Sequence, residues 1–141
     1  MDINECLEKG YLIKITKKDD LIKKELEESE YDIDRARKAF DDEDFKWSIV
    51  MSYYTMFHSA RALLFGLGFQ EKSHFAIPVV LEYLNKKGKI ERKYINYFNA
   101  AISSREDADY HYTYSIRIAE DNLTIAEEFK ERIKEMINNE L

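Results

Sequence analysis

The apolar residues between positions 45 and 67 recur at intervals of three and four residues, which is the period of an α-helix. Further apolar residues widen this stripe, so the predicted helix has little exposed face and should lie at the centre of the protein. Gly66 and Gly68 can adopt the left-handed conformation that ends a helix. The sequence therefore predicts a central helix over about residues 45–67. Its stripe consists of Val50, Tyr53, Tyr54, Phe57, Ala60, Leu64 and Leu67, widened by Ile49, Met56 and Leu63.

One helix is predicted on either side of this central helix. The helical period also covers residues 19–40, where two acidic residues at the start suit the positive end of a helix dipole. The acidic run 41–44 breaks the pattern and offers a cap for the central helix. A helix from Ser73 to about Lys87 is predicted next, but Pro78 removes a hydrogen bond inside a helix. We therefore expect this helix to begin after Ser73 or to bend near its start.

The last third of the chain predicts two helices with a polar connection. The first covers about residues 91–104, and the second begins near Ser115. Residues 105–114 are polar and rich in tyrosine, so we predict that they form a helix end and a loop. At the other end of the chain, residues 1–17 form a short prefix with one or two helical turns and a connection through Gly10.

The composition favours an all-α protein with one domain over residues 1–141. A chain of 141 residues is long enough to bury roughly two-thirds of its unfolded surface in a single core. Four glycines and one proline are too few for the many turns of a sandwich or barrel. Charged residues make up 35% of the chain and need solvated faces, which long amphipathic helices provide. We expect one helical bundle with short connections.

The charge balance and the single cysteine limit the classes of partner and compartment. The net charge of −6 disfavours a broad nucleic-acid surface, so basic groups would have to gather in a local cleft to bind RNA. Cys6 has no second cysteine for an intramolecular disulfide, which favours a reducing compartment. No apolar run approaches the roughly 18 residues that span a bilayer, and the first residues lack the basic start of a signal peptide. We expect a cytoplasmic protein without a membrane partner.

Three segments of the chain carry recognisable motifs. They are Tyr53-Tyr54-x-Met56-Phe57-His58-x-Ala60-Arg61-Ala62-Leu63-Leu64, the turn Glu71-Lys72-Ser73-His74 after Gly68, and Arg105-x-x-Ala108-Asp109-Tyr110. These segments resemble the HEPN family, in particular its archaeal and bacterial single-domain branch. Together with the order of the predicted helices, they cover roughly residues 20–137. The resemblance implies an up-and-down bundle of four or five helices, commonly a homodimer, that is usually found beside a nucleotidyltransferase.

The resemblance also implies a candidate chemistry, which is RNA cleavage without a metal or other cofactor. Nuclease members of the family use an arginine followed after four to six residues by a histidine, and five residues separate Arg105 from His111. RNA carries its own nucleophile, the 2′-hydroxyl, so cleavage needs a proton acceptor and a cation. Histidine, with an ordinary pKa of about 6.5, provides the acceptor. Arginine stabilises the charge of the phosphorane through its planar set of donors.

The spacing of this pair sets a geometric condition. On one continuous helix, six positions rotate by about 600°, which leaves Arg105 and His111 about 120° apart. They can share a phosphate only if the helix ends between them, or if the pairs of two protomers face one cleft. The alternative is a surface arginine paired with nearby acids and a loop histidine without a function. Glu106, Asp107 and Asp109 support that alternative, because carboxylates repel a phosphate.

The tyrosines near His111 leave two interpretations open. In the toxin branch of the family, the partner nucleotidyltransferase adenylylates a tyrosine two residues after the histidine. Thr113 occupies that position here, so no modified residue is assigned. Tyr110, Tyr112 and Tyr114 could stack on bases, at about 1–3 kcal/mol for each base. The other interpretation, which we favour, is that they pack the end of the bundle.

Three further polar residues are weaker candidates for binding. His58 and Arg61 lie one turn apart on the central helix and could line a nucleotide or dimer cleft. The simpler interpretation is a satisfied buried histidine and an arginine that pairs with an acidic helix. His74, with Ser73, could cap the next helix or bind an anion at its N-terminus. Glu71-x-x-His74 has the spacing of a di-iron ligand pair, but a second motif is missing, so we predict no metal site.

Two functions of different classes remain as hypotheses. The first is a homodimeric HEPN protein that works with a nucleotidyltransferase as one half of a toxin–antitoxin-like pair and cleaves RNA with Arg105 and His111. The second is a non-catalytic module that binds a nucleotide or a partner protein. The excess of aromatic residues over the needs of one small core, with ten Tyr, eight Phe and one Trp, adds to the expectation of a homodimer.

Overall fold

The computed structural model describes residues 1–140 and is built from six helices and two short strands. This confirms the predicted all-α class and helical bundle. Along the part of the chain that is described, no helix is both long and apolar enough to span a membrane. The elements are α1 (Ile3–Glu8), β1 (Leu12–Lys14), α2 (Asp19–Asp41), α3 (Phe45–Gly66), β2 (Phe69–Glu71), α4 (Ala76–Lys86), α5 (Arg92–Tyr110) and α6 (Ile116–Glu140).

Helix α3 occupies the centre of the bundle, as its wide apolar stripe predicted. It packs against α2, α5 and α6, and most of its residues are buried. The side chain of Asp44 caps its N-terminus by accepting a hydrogen bond of 3.3 Å from the backbone N–H of Trp47. The surrounding core includes fully buried Ile33, Met56, Leu63, Phe98 and Phe129.

A two-stranded antiparallel sheet joins the prefix to the end of α3. Leu12 pairs with Glu71 and Lys14 pairs with Phe69. The prefix was predicted to contain only helical turns, so β1 differs from that expectation. The reason is that each strand has three residues, and their pairing depends on a partner far along the chain rather than on a local pattern. The sheet places Glu71 next to the bundle, where it is buried.

Helix α4 begins at Ala76 rather than at Ser73, so Pro78 lies in its first turn, where a proline is tolerated. The proline is the third residue of the helix, where its missing N–H leaves no intrahelical bond unmade. The prediction of a later start is therefore confirmed. Helix α4 has no side-chain cap, so the predicted capping role of Ser73 and His74 is wrong.

Helix α5 extends six residues beyond its predicted end and ends at Tyr110. The prediction that residues 105–114 contain a helix end and a loop is confirmed, but the helix ends six residues after the predicted bound of about 104. Ala108 is fully buried in a cluster with Ile49 and Ala119, so one face of this polar segment packs against the bundle. The backbone N–H of His111 closes the helix with a bond of 3.1 Å to the carbonyl oxygen of Asp107.

Candidate functional site

Arg105 lies near the C-terminal end of α5, with its guanidinium against three tyrosine rings. Its Cζ atom is 5.7 Å from the ring centroid of Tyr53, 5.8 Å from that of Tyr54 and 5.4 Å from that of Tyr110. Its Nη2 atom is 3.3 Å from Oδ2 of Asp109 and 3.5 Å from the Tyr54 hydroxyl. The rings and the carboxylate together fix the position of a half-buried cation.

The packing around Arg105 also sets the charges there. Burial opposes the positive charge of Arg105, but the nearby tyrosine hydroxyls and Asp109 more than offset it and raise the pKa of this residue. Burial raises the pKa of Tyr53 to about 12, although the neighbouring Arg105 acts to lower it. Tyr53 is therefore neutral at physiological pH, and the cation beside it keeps its charge.

His111 is the residue that follows α5, and its side chain is 68% exposed. Its Nδ1 atom is 3.2 Å from Oδ1 of Asp107, one helical turn earlier. We assign the ring proton to Nδ1, because a carboxylate only accepts hydrogen bonds. Nε2 then carries the lone pair and can accept a proton from a ligand.

Arg105 and His111 have different partners within one protomer. Arg105 pairs with Asp109, and His111 pairs with Asp107. The helix is continuous through Tyr110, so the two positions are separated by about 9 Å along the axis and by about 120° around it. Helix α5 ends only at Tyr110, directly before His111, so the helical rotation between the two positions is retained. One protomer therefore does not direct both side chains at one phosphate.

The tyrosines around His111 point to solvent instead of packing the end of the bundle. Tyr110 is 62% exposed, Tyr112 is 78% exposed and Tyr114 is 46% exposed. The favoured interpretation, that they are packing residues, is therefore wrong. The ammonium group of Lys46, at the start of α3, lies 5.9 Å from the Tyr112 ring centroid. Exposed rings beside cations are available to stack on bases or to contact another protein.

His58 and Arg61 form a second polar cluster, between α3 and α2. Nδ1 of His58 is 2.6 Å from Oε2 of Glu25, and its Nε2 is 3.5 Å from Oδ2 of Asp32. Nη1 of Arg61 is 3.5 Å from Oε1 of the same Glu25. Both residues thus pair with the acidic face of α2, as the simpler interpretation of this pair expected.

Arg61 also reaches the strand β2. Its Nε atom lies 2.6 Å from Oε1 of Glu71, which makes the contact a close ion pair. Burial raises the pKa of Glu71, and the charge of Arg61 only partly opposes this shift. Burial also raises the pKa of Asp32, while the charge of His58 lowers it.

The pKa of His58 is raised by the carboxylates that surround it. Burial alone would lower this pKa, but the hydrogen bond to Glu25 and the negative charges of Glu25, Asp32 and Glu28 exceed the effect of burial. The contacts with Glu25 and Asp32 therefore favour the protonated imidazole and link α3 to α2.

His74 lies two residues before α4, beside a small cavity. The cavity has a volume of about 180 Å³ and is lined by Phe57, Arg61, Glu71, Lys72 and His74. The centroids of the His74 and Phe57 rings are 5.1 Å apart. Within the described residues, no group of three or more histidine, cysteine or acidic side chains could hold a metal ion.

Several residues of the two clusters were not identified from the sequence. The contacts of Asp107 with His111 and of Arg105 with Asp109 both span four positions, so helical spacing could have identified them once α5 was extended. The packing of Arg105 on Tyr54 joins residues 51 positions apart, and no local pattern indicates it.

The family described as HEPN domain matches residues 22–136, which contain most of α2, all of α3 to α5 and most of α6. No curated protein matches the chain. The matched region includes both polar clusters described above.

Proposed function

This chain belongs to the HEPN family, and from that premise we propose that it is a homodimeric endoribonuclease that needs no metal. His111 is the proton acceptor and Arg105 is the ligand of the scissile phosphate. The contact between His111 and Asp107 is the observation on which the proposal chiefly depends. A carboxylate at Nδ1 fixes the ring and its tautomer and leaves Nε2 basic and accessible.

The cleavage step uses the 2′-hydroxyl of the RNA. Nε2 of His111 takes the hydroxyl proton while the 2′-oxygen attacks the adjacent phosphorus. The bond from phosphorus to the 5′-oxygen then breaks, giving a 2′,3′-cyclic phosphate and a 5′-hydroxyl that takes up a proton. Arg105 stabilises the charge that develops on the phosphorane oxygens. Its Nη1 atom forms no hydrogen bond to residues 1–140 and can bind one of these oxygens.

A second copy of the chain is part of the proposal because one protomer separates the two side chains. In a dimer with two-fold symmetry, Arg105 of one protomer can lie beside His111 of the other. The exposed rings of Tyr110 and Tyr112 then provide surfaces on which bases stack. This arrangement concentrates the binding groups in one cleft, which a chain of net charge −6 requires.

We further propose a nucleotidyltransferase as the partner protein, in a pair of the toxin–antitoxin type. Tyr112 and Tyr114 flank the position where related toxins carry a modified tyrosine, and both are exposed. A nucleotidyl group on either ring would place negative charge beside the phosphate site and oppose RNA binding. Mass spectrometry after incubation with ATP and a nucleotidyltransferase encoded beside this chain tests this proposal, because an unmodified chain would contradict it.

A non-catalytic binding module is the second candidate function. The observation that favours it is the pairing of Arg105 with Asp109 and of His111 with Asp107, which satisfies both residues without a substrate. In that case the exposed tyrosines hold a nucleotide or a partner protein, and no bond is broken.

Incubation of the purified protein with labelled RNA in EDTA distinguishes the two functions. The endoribonuclease produces fragments with 2′,3′-cyclic phosphate ends, and His111→Ala lowers the rate by about 10²-fold or more. His74→Ala is the matched control, because His74 is also exposed but lies near α4. Absence of cleavage by the wild-type chain, combined with RNA binding that Tyr112→Ala weakens, would support the binding module.

A further inference from the structure

A groove of about 490 Å³ runs between the outer faces of α2 and α3. Its apolar part is formed by Tyr31, Trp47 and Met51. Trp47 is the only tryptophan of the chain, and it is 52% exposed. A large exposed aromatic side chain in a groove is typical of the central residues of protein interfaces.

Four charged side chains border this groove and have no ionic partner. Arg35 and Lys38 lie on α2, and Asp42 and Asp44 lie in the turn before α3. Within residues 1–140 none of the four forms an ion pair, whereas the adjacent Arg37 pairs with two carboxylates. Arg35 contacts only the Tyr31 ring, at 5.4 Å, and Asp44 accepts only the capping bond from α3. These charges are therefore available to an external partner.

The order of the charges along the groove indicates what the partner is. The cations Arg35 and Lys38 lie toward one end, and Asp42 and Asp44 lie at the other end. Arg35 and Asp42 are separated by seven residues, or about 10 Å along a helix. A two-fold axis perpendicular to α2 reverses the direction of the helix in the second copy. The cationic end of each copy then faces the acidic end of the other, so the surface is complementary to itself.

We infer that this groove is the interface between two copies of the chain, with their α2 helices antiparallel and Trp47 of each copy buried between them. The inference rests on the proposed homodimer and identifies its contact surface. Lys46, which precedes Trp47, contacts the Tyr112 ring, so the groove lies beside the end of α5. Dimerisation through this groove brings the two α5 ends, and thus Arg105 and His111 of opposite protomers, toward one another.

Charge reversal tests the interface without removing a buried side chain. Arg35→Glu places acidic groups at both ends of the groove and Asp42→Lys places cations at both ends, so each weakens dimerisation more than about tenfold. The double variant Arg35→Glu/Asp42→Lys restores opposite ends in reversed order and regains dimerisation to within about threefold of wild type. Lys87→Glu, an exposed charge reversal at the end of α4, is the control and leaves the equilibrium unchanged. Light scattering across a dilution series measures the dissociation constant of each dimer, and circular dichroism checks that each variant is folded.

Trp47 supplies an independent readout, because all tryptophan fluorescence comes from this residue. Its emission shifts to shorter wavelength as the wild-type chain dimerises, and Arg35→Glu abolishes the shift at the same concentrations. A wild-type chain that is monomeric throughout overturns both this interface and the homodimer. A wild-type dimer with no emission shift, or with unaffected single variants, overturns this interface and leaves the homodimer in place. Single variants that weaken the dimer without recovery in the double variant overturn the antiparallel arrangement.

Discussion

Nδ1 of His111 lies 3.2 Å from Oδ1 of Asp107, one turn earlier on α5. In the sequence, Asp107 counted against a phosphate site because a carboxylate repels RNA. In the proposed mechanism this carboxylate has a different role, which is to orient the imidazole and hold its proton on Nδ1. The same side chain thus has two opposite expected effects on RNA cleavage, and a single substitution separates them.

The first prediction concerns Asp107→Asn, which keeps the shape of the side chain and removes its charge. If Asp107 orients His111, the rate of RNA cleavage falls by about 10-fold or more, because the amide no longer favours the productive tautomer. If Asp107 only repels the substrate, the rate rises. Single-turnover cleavage of labelled RNA measures the change. Glu106→Gln is the control, because it removes a neighbouring exposed carboxylate that has no contact with His111, and the rate should not fall with it.

The second prediction concerns the position of Arg105 among three tyrosine rings. Arg105→Lys keeps the charge but loses the planar group that contacts Tyr53, Tyr54 and Tyr110. We expect it to lower the free energy of unfolding by about 1–2 kcal/mol, nearly as much as Arg105→Ala. Urea denaturation measures this free energy. If Arg105→Lys were as stable as wild type, the planar shape of the guanidinium would not contribute to its packing on the three rings.

The role of the hydroxyl group near Arg105 is tested separately. Tyr54→Phe keeps the ring under the guanidinium and removes only the contact of 3.5 Å to Nη2. The variant should therefore retain most of the stability that Tyr54→Ala loses. Equal losses in the two variants would mean that the hydroxyl, rather than the ring, holds Arg105.

The sequence was sufficient for elements whose stability depends on local apolar periodicity. The central helix was predicted over about residues 45–67 and is observed as Phe45–Gly66, because the period and the glycines lie within one segment. The end of α5 was missed because residues 105–110 are polar and only Ala108 enters the core. Its burial depends on contacts with Ile49 and Ala119, which are distant in sequence.

The sequence predicted which residues belong to the candidate site, but it did not predict how they are arranged in space. The resemblance to the HEPN family selected Arg105 and His111, but their separation within a protomer depends on where α5 ends. The aspartate partners follow from helical spacing, whereas the tyrosine rings come from α3. Contacts between elements are set by tertiary packing, so a single sequence did not reveal the environment of Arg105.

The third prediction concerns Gly68, which connects α3 to the small sheet. Its φ is +83°, and an added Cβ atom would lie 3.3 Å from the carbonyl oxygen of Ile15. Gly88 is the matched control, since its φ is +72° but an added Cβ atom would meet no atom within 4 Å in the described structure. In both alanine variants, the cost of the left-handed backbone conformation lowers the free energy of unfolding by about 1–2 kcal/mol. Gly68→Ala should lose more, because Ile15 must also move.

The measurement for this pair is the free energy of unfolding in urea. The backbone N–H of Ile15 donates a bond of 2.9 Å to the carbonyl oxygen of Gly68, so movement of Ile15 also disturbs the link between the prefix and the bundle. Identical losses in Gly68→Ala and Gly88→Ala would show that this close approach does not contribute.

The fourth prediction concerns pH and the cluster around His58. Glu25 and Asp32 raise the pKa of His58 in the folded chain above its ordinary value of 6.5. The folded state therefore binds a proton more tightly than the unfolded state. The stabilisation from this proton is fully present below pH 6.5 and is lost as the pH rises through the folded-state pKa. The free energy of unfolding should thus decrease above pH 6.5.

Comparison with His58→Gln isolates this effect, because glutamine keeps a polar side chain but does not titrate. The difference in unfolding free energy between wild type and His58→Gln, measured in urea from pH 5.5 to pH 8.5, should shrink as the pH increases. Burial raises the pKa values of Asp32 and Glu71, so both carboxyl groups also favour the protonated folded state, but they titrate from a lower ordinary pKa. A difference that grew with pH would mean that burial, rather than the carboxylates, determines the charge of His58.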